Sequence, residues 1–140
     1  MSCVIIGDSI GVGVARHRTE CISQAHVSQN TAHTVNLLSR MPGDPDQVLI
    51  SVGSNDVMGH SDVSHWVAEY HKLRSSINSG CVVWLLPNNK ETARAAITIV
   101  AHQHGDAVLD TRPVTSADLV HPTSSGYQRL ARLSRLSTCN

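Results

Sequence analysis

The sequence predicts an α/β protein, a three-layer α/β/α sandwich on a mainly parallel five-stranded sheet. Five apolar runs, Cys3 to Ile6, Ile22 to Val27, Val48 to Val52, Cys81 to Leu86 and Ala107 to Leu109, have the length of strands. They alternate with segments of helical spacing. Parallel strands require crossover connections, and right-handed crossovers built from such helices cover both faces of the sheet.

In chain order, Cys3 to Ile6 leads into Gly7-Asp8-Ser9, and Ile22 to Val27 supplies a second strand. Thr31 to Arg40 reads as a short helix through Val35, Leu37 and Leu38, ended by the loop Met41-Pro42-Gly43-Asp44-Pro45-Asp46. After Val48 to Val52, the residues Val63, Trp66, Val67, Tyr70, Leu73 and Ile77 recur at helical spacing, with Ser61 as candidate cap and Gly80 as stop. Cys81 to Leu86 follows. A helix from about Asn89 to His104 buries Ala93, Ala96, Ile97 and Val100 and ends at Gly105. Ala107 to Leu109 is the last strand, and Thr123 to Leu136 the last helix.

The 140 residues fit a single domain, 1–140, long enough to bury about two-thirds of its unfolded surface. With 41% hydrophobic and 16% charged residues the chain is not expected to be disordered, and no stretch approaches the ~18 apolar residues of a membrane span. Phe is absent, so aliphatic side chains must fill the core. Eleven basic residues balance eleven acidic ones, which argues against nucleic acid or anionic lipid as partner. The oligomeric state is not legible. Met1-Ser2-Cys3 enters a strand without the pattern of a secretory signal, so the expectation is a cytoplasmic protein; a viral particle component or export without a cleavable leader would read the same. Cys3, Cys21, Cys81 and Cys139 lack CxxC spacing and are expected as reduced thiols, with a Cys3–Cys21 bridge open if the first two strands are neighbours.

Ligands bind beyond the carboxyl ends of strands in open parallel sheets. Gly7-Asp8-Ser9-Ile10, Gly53-Ser54-Asn55-Asp56 and Asp118-Leu119-Val120-His121-Pro122 all follow strands, so they are expected to converge on one cleft. Ser9, with Gly7 before it and Gly11 and Gly13 after it, suits a sharp turn that exposes a nucleophilic hydroxyl; Asp8-Ser9 also suits an ordinary helix cap. Asp118 and His121 can share one turn in which the carboxylate holds the imidazole in the tautomer that accepts a serine proton. A plain loop end before Pro122 fits the same residues. The Asn55 amide can donate to an oxyanion, and its segment is also common Asx-turn chemistry.

In order and placement the three segments resemble the signature blocks of the SGNH (GDSL-type) hydrolase superfamily, and Gly7 to His121 spans most of the chain. The resemblance implies the flavodoxin-like SGNH hydrolase fold, with Ser9 as nucleophile, His121 as general base and then acid, and Asp118 as its orienting partner. It also implies an oxyanion hole of the Ser9 N–H, the Asn55 side chain and a backbone N–H from a further block. That block normally supplies a glycine after the second strand; the local match, Val27-Ser28-Gln29-Asn30-Thr31, has Gln29. Gln29 can still donate its main-chain N–H, but a positive φ would strain it, and its side chain could crowd the substrate or add a contact.

The function implied is hydrolysis of a carboxylic ester through an acyl-enzyme, narrowed to carbohydrate O-acetyl groups because a short chain has few insertions to hold a long acyl tail. The alternative, motivated by Gln29, is a catalytically weak or inactive module of the same scaffold that binds carbohydrate or another acylated ligand. No cofactor is expected: Gly7, Gly11 and Gly13 are not followed by GK[ST], and Arg16 occupies the last position of a dinucleotide fingerprint. No metal is expected either, since His60, His65, His102 and His104 form no HExxH pattern. Met58, His60, Asn88 and Asn89 follow strands and are candidate cleft-lining residues, while Arg129, Arg132 and Arg135 read as a solvated basic edge.

Overall fold

The computed structural model describes residues 2–38, 43–59 and 62–137. Five parallel strands, β1 (Cys3–Gly7), β2 (Ile22–Ala25), β3 (Gln47–Ser51), β4 (Val82–Leu86) and β5 (Ala107–Asp110), form a sheet of order β2-β1-β3-β4-β5. The helices are α1 (Ser9–Ala15), α2 (Thr31–Leu37), α3 (Val63–Ser75), α4 (Glu91–His104) and α5 (Ser124–Leu136). From β1 the chain steps outward to β2 and returns on the other side of β1 to β3. The order therefore reverses between β1 and β3, which opens a crevice at their carboxyl ends.

Strand alternation divides the core in two. Val4, Ile6, Val48, Ile50 and Trp84 face one layer with Tyr70 and Leu73 of α3 and Ala96 and Ile97 of α4. Ile5, Leu49, Val83 and Leu85 face the other with Ile10 and Val14 of α1 and Leu130 of α5. The three-layer sandwich is as the sequence predicts. β1, β3 and β4 are buried along their whole length, whereas β2 and β5 at the edges are partly exposed.

Several local expectations change. β2 ends at Ala25: the His26 N–H makes a last bond to the Gly7 carbonyl of β1, and the chain then turns, with Ser28 at φ 64°. α3 is capped by Asp62, whose carboxylate accepts from the His65 N–H at 3.0 Å. Ser61, His60, Cys139 and the Met41-Pro42 portion of the predicted loop lie outside the described residues. Cys3, Cys21 and Cys81 are not reduced thiols: Cys3 and Cys21 form a disulfide, with Cα atoms 4.7 Å apart, and Cys81 is disulfide-bonded too. The parallel register pairs Val4 with Ile22, which sets Cys3 beside Cys21 at the amino ends of the strands. Sequence spacing carries no trace of that register.

Gly7 closes β1 at φ 122°, and a Cβ there would stand 1.7 Å from the Ser51 carbonyl oxygen. Gly11 and Gly13 do not shape the turn as the sequence suggests. They let α1 approach its neighbours: a Cβ on Gly13 would meet the Tyr127 ring of α5 at 2.2 Å.

Candidate active site

Ser9 begins α1 directly beyond β1. Asp8 caps that helix, its Oδ1 accepting from the Ile10 N–H at 3.1 Å and from Ser51 Oγ at 2.6 Å. Burial pushes the Asp8 carboxyl up to about 6, although the Ser51 hydroxyl and the Ile10 and Gly11 amides pull the other way. Asp8 thus ties the turn carrying Ser9 to β3 by a side-chain bond parallel to the backbone bond from the Asp8 N–H to the Ser51 carbonyl, 2.9 Å.

His121 comes from the loop after β5. A bridge between Thr115 and Pro122 and the bond from the Ser116 N–H to the His121 carbonyl, 2.8 Å, close this loop, and Leu119 takes φ 62° within it. Asp118 Oδ1 accepts from the Val120 and His121 N–H groups, both at 2.8 Å, and from Ser116 Oγ at 3.0 Å. Its other oxygen lies 2.8 Å from His121 Nδ1. These donors, the Val120 amide first and then the His121 ring, hold the Asp118 carboxyl well below the usual carboxylate range. An ionised Oδ2 beside Nδ1 fixes the proton there and leaves the Nε2 lone pair free. Nε2 faces Ser9 Oγ at 3.0 Å. The structure therefore joins Ser9, His121 and Asp118 in one hydrogen-bonded row, the first two 112 positions apart in sequence.

Asn55 follows β3 on the other side of the crevice. Its Nδ2 donates to the Gln29 carbonyl at 2.9 Å, which leaves one amide hydrogen for a ligand. Asp56 underpins this loop: its buried carboxylate accepts from the Thr31 N–H at 2.9 Å, Thr31 Oγ1 at 2.6 Å and the Tyr70 hydroxyl at 3.0 Å. Burial, with the Asp56 charge beside it, holds the Tyr70 phenol above its ordinary range, so it remains a donor.

Gln29 departs from the role drawn for it. Its N–H already donates to the His26 carbonyl at 3.2 Å, the positive φ falls on Ser28, and its buried side chain bonds Thr34 Oγ1 at 2.9 Å rather than entering the cleft. What Gln29 offers the site is its carbonyl, as the brace of Asn55. Asn88 likewise serves as a brace: its Nδ2 donates to the Leu119 carbonyl at 2.7 Å, and Arg112 donates to its Oδ1 and main-chain oxygen at 3.0 and 2.8 Å. Met58 packs against the core.

A cavity of ≈ 410 Å³ adjoins Asn55 and is bounded by Asn30, Thr31, Val57, Trp66 and Glu69. Sequence reasoning placed Trp66 only as a core residue of α3. Neither this cavity nor a second of like size, between Val114 and Arg132, is lined by Ser9, His121 or Asp118; the first meets the site through Asn55. Among the described residues Cys3, Glu20 and Cys21 cluster as metal-ligand types, but the two sulfurs are bonded to each other.

No protein-family model and no curated protein matches the sequence. Solved structures share its fold. A GDSL-like lipase from Bacteroides thetaiotaomicron VPI-5482 superposes with TM-score 0.74 at 18% identity, over 96% of this chain and 86% of that one. The lipase/acylhydrolase from Enterococcus faecalis gives 0.73 at 18%, over 94% and 92%. A carbohydrate acetylesterase from Sinorhizobium meliloti gives 0.69 at 14%, over 96% and 97%. The likeness is one of fold, over nearly the whole chain.

Proposed function

We propose that the protein is a serine esterase working through an acyl-enzyme, on the strength of the Ser9 Oγ–His121 Nε2–Asp118 row. Ser9 Oγ attacks the ester carbonyl as His121 Nε2 takes its proton, and Asp118 stabilises the resulting imidazolium. The carbonyl oxygen, now an oxyanion, receives the Ser9 N–H and the free hydrogen of the Asn55 amide. His121 then protonates the departing alcohol, and water activated by the same nitrogen releases the acid from Ser9.

The substrate we favour is a short acyl ester of a polar alcohol such as a sugar. The Asn55-side cavity supports this reading, since an indole, an amide and a carboxylate on its walls suit a hydroxylated ring better than an alkyl tail. The likeness to a carbohydrate acetylesterase agrees with it. Ser9→Ala should lower turnover of a short-chain aryl ester by at least ~10⁴-fold with the circular dichroism spectrum unchanged. Unchanged turnover would refute the assignment, and preference for long acyl chains would refute the substrate class.

The occupied Gln29 N–H favours a second reading, a carbohydrate-binding module with weak or no turnover. Losing one of three oxyanion donors costs roughly 10²–10³-fold. A phosphonate probe separates the two: it should label Ser9 in an enzyme, whereas a binder would resist labelling and retain sugar affinity.

A further inference from the structure

Beneath the Cys3–Cys21 disulfide lies the guanidinium of Arg18, 1% exposed. Its Nη1 donates to Gln47 Oε1 at 2.6 Å and to Ser134 Oγ at 3.1 Å, and Gln47 is held in that orientation by donating its own amide to the Ser134 carbonyl at 2.8 Å. The rest of the fork is poorly served. Nη2 faces Cys3 Sγ at 3.7 Å, and Nε has no hydrogen-bond acceptor among the described residues. The nearest carboxylate, Glu20, stands 3.6 Å from Nε and is exposed at the surface, where Arg135 grips it at 3.0 and 3.1 Å. Arg135 keeps Glu20 ionised, down to about 2.

A buried cation whose remaining arm touches a neutral sulfur is costly, because a disulfide is a feeble acceptor and the ion pair to Glu20 is long and shared with Arg135. A thiolate at the same sulfur would supply that counter-charge. Positive charge beside a cysteine stabilises its thiolate, and a better-stabilised thiolate is a better leaving group in exchange. The two sulfurs also differ in access, since Cys3 is buried at 3% while Cys21 is partly exposed.

We infer that Cys3 and Cys21 are a redox-active disulfide that exchanges with low-molecular-weight dithiols and glutathione, Cys21 being the sulfur attacked and Cys3 the leaving thiolate held by Arg18. An external thiolate attacks Cys21 Sγ; the new S–S bond forms as the Cys3–Cys21 bond breaks, and the electron pair leaves on Cys3 Sγ beside the guanidinium. The second thiol of a dithiol, or a second glutathione, attacks as its thiolate the reductant's sulfur in the mixed disulfide. That step releases Cys21, which takes up a proton, and the reductant departs as a disulfide. Two electrons pass to the protein, from one dithiol or from two glutathiones. The pair lies at the opposite end of β1 from Ser9, so this activity is independent of the esterase reading.

The test uses the full chain with Cys81→Ser and Cys139→Ser, which also removes the disulfide of Cys81, so that only this pair reports. Ultraviolet thiolate absorbance of the reduced protein is followed against pH, and the reduced fraction against glutathione ratio by alkylation and mass spectrometry. With Arg18 intact, one thiolate should titrate with its midpoint below about pH 8, under the ~8.5 of an ordinary thiol. Arg18→Met should move that midpoint upward and shift half-reduction to a glutathione ratio at least about tenfold more reducing. Arg18→Lys should retain most of the effect. A lowest midpoint at or above about pH 8, a disulfide that resists excess dithiol while the protein stays folded, or an Arg18→Met protein matching its parent would each overturn the inference. Should Arg18→Met fail to fold, the midpoint and the reduction of the parent decide by themselves.

Discussion

Asp8→Asn isolates the energetic weight of the carboxyl beneath the Ser9 turn. Asp8 is fully buried and one of its oxygens has no partner among the described residues, so burial raises its carboxyl from 3.8 to about 6. Between these values the folded protein holds a proton that the unfolded chain has released, so stability falls as pH rises and is greatest below 3.8. At ~1.36 kcal/mol per pH unit the full difference is about 3 kcal/mol. Roughly 2.5 kcal/mol of it falls between about pH 4 and about pH 7.5. Asp8→Asn keeps an oxygen for Ser51 and Ile10 and removes the titration. It leaves an unpaired amide, at a pH-independent cost of ~1–3 kcal/mol. Urea denaturation of both proteins across this range should show the wild type losing roughly 2.5 kcal/mol relative to the variant as pH rises, other titrating groups cancelling. A difference flat with pH, or one moving in the wild type's favour, would refute the burial argument.

Three further outcomes test the site. In Asp118→Asn the carbonyl is retained where three donors converge, so the amide nitrogen donates to His121 Nδ1 and forces the proton onto Nε2; kcat/KM for an aryl ester should fall on the order of 10³–10⁴-fold without unfolding. Asn55→Ala removes a donor to the oxyanion and should cost roughly 10²–10³-fold in kcat with KM little changed. Gly7→Ala forces a Cβ to within 1.7 Å of the Ser51 carbonyl at φ 122°, and should abolish the cooperative melt through a loss above ~4 kcal/mol. A melt close to wild type would contradict the packing described.

The legible parts of the chain are those whose physics is local. β1, β3 and β4 are buried on both faces and so appear as unbroken apolar runs, and α3 and α4 carry a long period of core residues. α1 is seven residues long with two glycines, too short to display a period. Asp118 and His121 can be paired from their spacing, but their meeting with Ser9 depends on sheet order. The Cys3–Cys21 bond depends on the register of β1 against β2, and the brace from Asp56 to Thr31 and Tyr70 spans three elements. The Gln29 block misleads because a serine, one residue earlier, adopts the left-handed conformation that a glycine was expected to provide. A residue-type rule cannot see which neighbour will bend.

The sheet order gives the two ends of the Ser9–His121 contact unequal footing. Ser9 rides on a strand clasped from both sides, whereas His121 hangs past β5 at the rim, tethered through Asn88 and Arg112, while Arg94 grips Asp110 at 2.7 and 3.0 Å. The ion pairs of Arg112 with Glu91 and Arg94 with Asp110 weaken with ionic strength, and rim segments open below the global transition. Gentle warming in concentrated salt should therefore uncouple imidazole from hydroxyl while the strands remain assembled, so that function fades along a curve of its own, ahead of melting.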